Sequence, residues 1–164
     1  MLMSLEEIQA FVDKQLAPYN KKGTVIIPLF NYIPRADWVY NHLENCSPGT
    51  MSCCTDFTVR ESFIGITQSS FSIFTEEEFK SHLAHEMGHV ILHSTCLLTA
   101  SLEEKHNREY EADAMSLKLG GTVKGLCEGL LKLNPYPEWT SDTHPSCNDR
   151  LKKLNYVIEN PKIL

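Results

Sequence analysis

The sequence predicts an α+β domain in which a small mixed or antiparallel sheet packs on a helix. Three observations support this prediction. A capped amphipathic pattern opens the chain at residues 5–16, strand-like segments follow at 24–30 and 55–67, and helical patterns occupy most of the chain from residue 75 onwards. This order of one helix, then strands, then several helices is typical of α+β domains.

The first helix is predicted from Leu5 to Leu16. Ser4 and Glu7 have the spacing of a capping box, and Pro18 follows the last apolar position. In Thr24–Phe30, β-branched and aliphatic residues predict a strand, which Pro28 places at a sheet edge. The segments that follow are predicted as a short helix at Arg35–Glu44, a loop at Cys46–Cys54 around Ser-Pro-Gly, and one or two strands at Thr55–Thr67.

The helices of the second half begin with a capping box formed by Thr75 and Glu78. Apolar residues at three- and four-residue steps predict a helix from Glu76 to about His93. The later helices are predicted from the cap at Ser101 to Gly120-Gly121, from Thr122 to Leu133, and from a first turn that contains Pro145 to about Glu159.

Length and composition indicate one globular domain, residues 1–164, with parts at 1–74, 75–121 and 122–164. Of the 164 residues, 42% are hydrophobic, enough for one core. The net charge of −6 argues against nucleic acid as a partner, because phosphate contacts need a cationic face. Without a transmembrane or signal-like segment, a cytoplasmic location is expected, and the six cysteines are expected to be reduced thiols. The sequence leaves the oligomeric state open.

The motif His85-Glu86-Met87-Gly88-His89 lies inside the predicted helix that begins at Glu76. Residues four apart lie about 40° apart around a helix, so His85 and His89 can reach one metal ion from the same face. Glu86 lies about 100° away, where it can accept a proton from a water on the metal. Met87 and Gly88 are predicted to serve core contact and close helix packing.

A second motif lies twenty residues further on, in the segment Asn107–Asp113. Catalytic zinc takes three protein ligands and keeps one position open, and Glu109 can supply the third ligand. Asp113 lies one turn further on the same face, where it can accept the free N–H of a ligating histidine. Glu111 points elsewhere and is predicted to be a solvated surface acid.

These motifs resemble those of gluzincin metallopeptidases, and more narrowly of the HtpX and CAAX-prenyl-protease family. The resemblance extends through the segments at 63–67, 71–78 and 112–121 and the late Thr143-His144-Pro145 and Asp149-Arg150 signature. It covers roughly residues 55–155. Members of this family often carry membrane helices; because this chain has none, it looks like a compact soluble member, similar in scale to the minigluzincins. The resemblance implies a zincin-like metallopeptidase domain and a metalloendopeptidase that acts on a peptide or protein.

The resemblance also implies roles for individual residues. One catalytic Zn²⁺ would be held by His85, His89 and Glu109, with Glu86 as the general base. Asp113 would support the ligands, His144 would lie over the metal, and Arg150 would form an ion pair with nearby acids. The strand Ile64-Gly65-Ile66-Thr67 would be the sheet edge that holds an extended substrate.

Two alternative functions remain open. Gluzincins of the ImmA/IrrE type, which act on transcriptional repressors, also combine the metal motif with a pair such as Leu92-His93. A zinc-bound module without turnover is the other alternative.

Further expectations concern single side chains. His93 is predicted to end its helix and His82 to be exposed, Trp139 to anchor packing, and Cys53 and Cys54 to be plain thiols rather than ligands that silence the metal.

Overall fold

The structure is a computed structural model that describes residues 3–21, 23–28, 51–56, 61–94 and 100–156. Within these ranges the chain forms six α-helices and a three-stranded sheet. In chain order the elements are α1 (Leu5–Leu16), β1 (Val25–Pro28), β2 (Met51–Asp56), β3 (Glu61–Ile66), α2 (Ser70–Ile73), α3 (Glu76–Leu92), α4 (Leu102–Ser116), α5 (Val123–Leu133) and α6 (Cys147–Lys153). The predicted α+β class is confirmed, whereas the helix predicted at Arg35–Glu44 lies outside the described residues.

The sheet is mixed and has the order β1-β3-β2. β1 runs parallel to β3, with Val25 opposite Phe63, and β2 runs antiparallel to it, with Met51 opposite Ile66. Among the described strands β1 lies at an edge, as Pro28 predicts. The loop predicted for Cys46–Cys54 is wrong at its end, because residues 51–54 belong to β2. The Ser-Pro-Gly signal is confined to residues 47–49, and the strand starts two residues later.

Reciprocal capping boxes start the three helices for which the sequence predicts them. In each box the hydroxyl of the N-cap residue accepts a hydrogen bond from the backbone N–H of the third helical residue. The carboxylate of that third residue accepts one from the backbone N–H of the N-cap residue. The pairs are Ser4 with Glu7, Thr75 with Glu78 and Ser101 with Glu104. Among the helices of the described ranges, none is both long and apolar enough to cross a bilayer.

Helix α3 lies at the centre of the fold. Phe79, Leu83 and Met87 have no exposed surface, and they belong to one apolar cluster with residues of α1 and of the sheet. A second, smaller cluster joins α5 to α6. The side chains of His85, His89 and His93 in the second half of this helix and at its C-cap are 6%, 15% and 9% exposed, so they lie mostly against protein. The expectation that Met87 is a core residue is confirmed.

The last helix is shorter than predicted. It spans Cys147–Lys153, and its N-cap is Ser146, whose hydroxyl accepts a hydrogen bond from Asp149 N at 3.1 Å. Pro145 therefore lies before the cap, not in the first helical turn. A serine hydroxyl satisfies a free N–H of the first turn, which proline cannot do, so the cap falls on Ser146. Residues 157–159 lie outside the described part of the chain.

The expectation that His82 is exposed is wrong, because its ring is buried between α3 and α5 and stacks on Phe74 at a centroid distance of 4.7 Å. A Cβ atom at Gly129 would lie 2.3 Å from His82 Nε2, so only glycine leaves room for the imidazole. Burial, with the positive charges of His85 and Arg150, lowers the pKa of His82 to about 3. The imidazole is therefore neutral in the folded protein at neutral pH.

This buried imidazole predicts a specific loss of stability in acid. The pKa of His82 is lower in the folded chain than its ordinary value of 6.5 in the unfolded chain. The contribution of His82 is therefore complete above pH 6.5 and is lost as pH falls from 6.5 towards 3. When the pH is lowered from 7.5 to 5.5, His82 should decrease the free energy of unfolding by about 1.4 kcal/mol. The His82→Leu variant should lack this part of the decrease. Urea unfolding of both proteins at the two pH values measures the difference, and identical pH dependence would contradict the prediction.

Candidate metal centre

The site is built where α3 and α4 approach most closely. A Cβ atom at Gly88 would lie 2.9 Å from the Ala112 carbonyl oxygen, so the two backbones touch at this point. A side chain there would force the helices apart. The close approach lets Glu109 of α4 reach the two histidines of α3, and it confirms the expected packing role of Gly88.

Three side chains converge on one point, as the sequence predicts. His85 Nε2 lies 3.4 Å from Glu109 Oε2, and His89 Nε2 lies 3.2 Å from Glu109 Oε1. The two Nε2 atoms are 3.1 Å apart. Ligand atoms around a tetrahedral zinc ion, at bond lengths near 2.0–2.1 Å, are about 3.3 Å from one another. The spacing of the three groups therefore suits a small divalent cation.

The chemistry of the donor set supports the same conclusion. Glu109 Oε2 is buried and has no hydrogen-bond donor among the described residues. The nearby cationic groups Arg150 Nη1 and His144 Nε2 lie 3.6 and 3.7 Å away, beyond hydrogen-bonding distance, so this buried oxygen keeps its capacity to bind a cation. Burial raises the pKa of Glu109, but the adjacent imidazoles of His85 and His89 outweigh burial and hold the pKa well below its usual value. The carboxylate is thus charged.

Asp113 and Arg150 hold His85 from behind. His85 Nδ1 lies 2.8 Å from Asp113 Oδ1, and Arg150 Nε donates to Asp113 Oδ2 at 2.8 Å. Burial raises the pKa of Asp113, but the Arg150 hydrogen bonds outweigh it and keep the pKa at about 2. The imidazole of His85 can therefore donate its Nδ1 proton to a charged carboxylate and direct Nε2 towards the ligand cluster.

Burial lowers the pKa of His85, but hydrogen bonds to Asp113 and Glu109 outweigh burial and raise it to about 10. Burial also lowers the pKa of His89, in this case to about 4, against the opposing effect of Glu109. The two histidines share a site yet differ in protonation, because only His85 faces two carboxylates. A ligating imidazole must be neutral at the donor nitrogen, so a cation that binds here would release a proton from His85.

Glu86 is partly buried beside this cluster. Its pKa is raised to about 7, because burial and, to a smaller extent, the negative charge of Glu109 outweigh the positive charge of His85, which lowers it. The Cys53 thiol of β2 forms a hydrogen bond with the Glu86 carboxylate, which also lowers its pKa. Cys53 thus contacts Glu86, and the cluster of groups suited to a metal contains only His85, His89 and Glu109 among the residues that the structure describes.

His144 lies at the mouth of the site. Its Nε2 atom is 3.7 Å from Glu109 Oε2, and its side chain is 57% exposed. Thr143 Oγ1 lies 2.7 Å from His144 Nδ1, and the backbone N–H of His144 donates to Ser141 Oγ at 3.0 Å. The hydrogen bond with Thr143 therefore fixes the Nδ1 side of the imidazole, and Nε2 faces Glu109. His144 lies two residues before Ser146, the N-cap of α6.

The predicted substrate-binding strand does not have the position that was expected. Within the described sheet, β3 is the central strand, and residues 63–66 pair with β1 on one side and β2 on the other. Ile64, Gly65 and Ile66 are buried, and Thr67 lies beyond the strand. The prediction of an open edge at Ile64–Thr67 is therefore wrong, because β2, which begins inside the segment predicted as a loop, covers that edge.

The sequence interpretation missed one contact of the site. His89 Nδ1 lies 2.9 Å from His93 Nδ1, and His93 Nε2 lies 2.9 Å from Glu111 Oε2. His93 does cap the end of α3, as predicted, but Glu111 also reaches it from α4. The only sequence signal was the four-residue step from His89 to His93, because the step to Glu111 crosses between two helices.

Comparison with known protein families matches residues 93–158 to the model described as Peptidase family M48. The matched segment is about two fifths of the chain; it contains Glu109, Asp113, His144 and Arg150 and begins after the motif His85–His89. No curated protein and no solved structure matches the chain. The match supports a metallopeptidase, a hydrolase whose substrates are peptides or proteins.

Proposed function

We propose that the chain is a zinc-dependent metalloendopeptidase, a compact relative of the HtpX and CAAX-prenyl-protease group that forms one domain over residues 1–164. The observation that carries the proposal is the convergence of three ligand atoms on α3 and α4, one of them a buried carboxylate oxygen without a hydrogen-bond donor among the described residues. The family match over residues 93–158 supports it independently, because that segment excludes the two histidines.

In this proposal His85, His89 and Glu109 hold one Zn²⁺ ion, and Asp113 orients His85. Two imidazoles and one carboxylate are a common ligand set of catalytic zinc, which leaves a coordination position free. When bound, the ion supplies Lewis acidity: it polarises the scissile carbonyl and lowers the pKa of an attacking water. Another divalent metal with similar preferences fits the same donors.

The residues of the chain then handle the proton. The Glu86 carboxylate accepts the proton of the attacking water and delivers it to the nitrogen of the leaving amine. Its partial burial favours this role, since a carboxylate with a pKa near 7 both accepts and releases a proton readily at neutral pH. His144 Nε2, which faces the mouth of the site, donates a hydrogen bond to the oxygen on which negative charge develops.

The substrate is proposed to lie along β2. Within the described sheet β2 is an edge strand, it packs against α3, and its Cys53 contacts Glu86. An extended peptide can add to such an edge through main-chain hydrogen bonds, which places its scissile bond beside the motif helix. This assignment replaces the one made from the sequence, in which Ile64–Thr67 held the substrate.

Metal removal tests the proposed function. The protein incubated with a mixed peptide library should cleave peptides internally, should lose at least about 99% of that activity after dialysis against a chelator, and should regain it with one equivalent of Zn²⁺. Mass spectrometry of the products measures both cleavage and its position. Cleavage that persists in the metal-free protein would contradict the proposal, and a library left intact by the zinc-loaded protein would favour the module without turnover.

A further inference from the structure

We propose that His93 is a positioning residue of the metal centre, which holds the His89 ring in its ligating orientation while Glu111 fixes the proton on His93. The inference rests on the proposed metal site at His85, His89 and Glu109. It assigns a role to two residues that lie outside the ligand set.

The three side chains form a continuous hydrogen-bonded line. Its two links, His89 Nδ1 to His93 Nδ1 and His93 Nε2 to Glu111 Oε2, are both 2.9 Å long. The His89 and His93 rings are 5.1 Å apart at their centroids and inclined by 53°. The His93 side chain is 9% exposed, so water competes little for its ring nitrogens. These lengths are those of ordinary hydrogen bonds between ring nitrogens and carboxylates.

When His89 Nε2 binds a cation, only one distribution of protons gives each of the two hydrogen bonds one donor and one acceptor. A ligating Nε2 carries no proton, so a neutral His89 bears its proton on Nδ1 and donates it to His93 Nδ1. His93 must then accept at Nδ1 and carry its own proton on Nε2, which it donates to the Glu111 carboxylate. The carboxylate only accepts hydrogen bonds when it is ionised. Each member thus fixes the tautomer of its neighbour.

His93 is itself held in place. It is the C-cap of α3, and its backbone N–H donates to the His89 carbonyl at 2.8 Å. The same four-residue step that aligns two ligands in the motif therefore aligns the His93 ring with the His89 ring. Glu111 approaches from α4, two residues after Glu109, so the line also ties the end of α3 to the helix that bears the third ligand.

Neither nitrogen of His93 is available to bind the metal. Nδ1 faces the outer nitrogen of His89, on the side of that ring away from the ligand cluster, and Nε2 faces Glu111. The described cluster of groups suited to a metal accordingly omits His93. His93 therefore acts through His89 rather than as a fourth ligand.

The two proposed histidine ligands are supported in different ways. His85 donates to Asp113, a carboxylate with a 2% exposed side chain, whereas His89 faces a second imidazole. The Glu111 side chain is 63% exposed, so water screens its charge and can replace it as an acceptor. We therefore expect the loss of His93 to weaken metal binding more than the loss of the Glu111 carboxylate.

Metal affinity of the full chain tests the role of His93. Competition against a chromophoric chelator should show that His93→Ala binds Zn²⁺ about 10- to 100-fold more weakly than the wild type, as for other residues that orient a ligating imidazole. His93→Asn, whose side-chain oxygen can accept at the place of Nδ1, should restore affinity to within about threefold. Glu111→Gln should lose less Zn²⁺ affinity than His93→Ala. Glu103 is an exposed acid in the first turn of the same helix as Glu111, and Glu103→Gln should bind Zn²⁺ as tightly as the wild type.

The visible spectrum of the Co²⁺-loaded protein separates positioning from general stability. His93→Ala should shift the d–d bands because the His89 ring changes orientation, and His93→Asn should return them towards those of the wild type. Wild-type affinity and spectrum in His93→Ala would overturn the inference, as would equal losses in the Ala and Asn variants. A wild-type chain that binds no metal, or a His85→Ala variant that binds as the wild type does, would overturn the proposed metal site as well.

Discussion

Replacing Glu86 with Gln should lower kcat by about 10²- to 10⁴-fold while one zinc ion remains bound per chain. The amide of Gln has nearly the size of the carboxylate but cannot accept the proton of the attacking water. Because Glu86 is not among the three groups that converge on the site, the ligand set is unchanged by the substitution. Kinetics with a cleaved peptide and metal analysis of the same sample measure the two effects.

Glu76→Gln is a matched control for this substitution, because Glu76 is an exposed acid in the first turn of the same helix. It should retain wild-type turnover and metal content. Wild-type turnover in the Glu86→Gln variant would exclude Glu86 as the base. Loss of the metal from that variant would show that Glu86 belongs to the ligand set.

Replacing Arg150 with Met should lower the free energy of unfolding of the metal-free protein by about 3–5 kcal/mol. The side chains of Arg150 and Asp113 are 7% and 2% exposed, and they pair through two hydrogen bonds. Removal of the guanidinium leaves the Asp113 carboxylate buried, with His85 as its one remaining charged partner among the described residues. Such an uncompensated charge costs far more than the loss of an exposed ion pair. Urea unfolding in the presence of a chelator measures the change.

The chain provides its own control for this experiment. Arg108 forms an ion pair with Glu104 at 3.5 Å on the surface of α4, where the Glu104 side chain is 59% exposed. Arg108→Met should therefore change the free energy of unfolding by less than about 1 kcal/mol. The double variant Asp113→Leu, Arg150→Met should lose less than the sum of the two single variants. Equal losses for Arg150→Met and Arg108→Met would show that the buried pair does not stabilise the fold.

Local signals in the sequence predicted the parts of the fold that local energetics decide. The capping boxes at Ser4, Thr75 and Ser101 each specify a helix start through two hydrogen bonds within four residues, and all three occur in the structure. The two histidines of the site could be named for the same reason, since one turn of helix separates His85 from His89, whereas Glu109 was named from the ligand number of catalytic zinc.

Several contacts between helices and strands could not be predicted from local signals in the sequence. The line from His93 to Glu111 joins residues 18 apart on two helices, and the burial of His82 depends on the absence of a side chain at Gly129. Trp139, expected to anchor packing, is 67% exposed and stacks on Tyr136 at 4.4 Å. The sequence predicted the strand at 55–67 but not that β2 would cover it, because strand order depends on the whole fold.

Anomalous diffraction at the zinc edge, from crystals of the full chain grown with one equivalent of Zn²⁺, locates the proposed ion itself. We expect one peak about 2.0–2.2 Å from His85 Nε2, His89 Nε2 and a Glu109 carboxylate oxygen. An ion held by other side chains, or a Glu109 carboxylate beyond bonding distance of the ion with another protein group in its place, would contradict the proposed site.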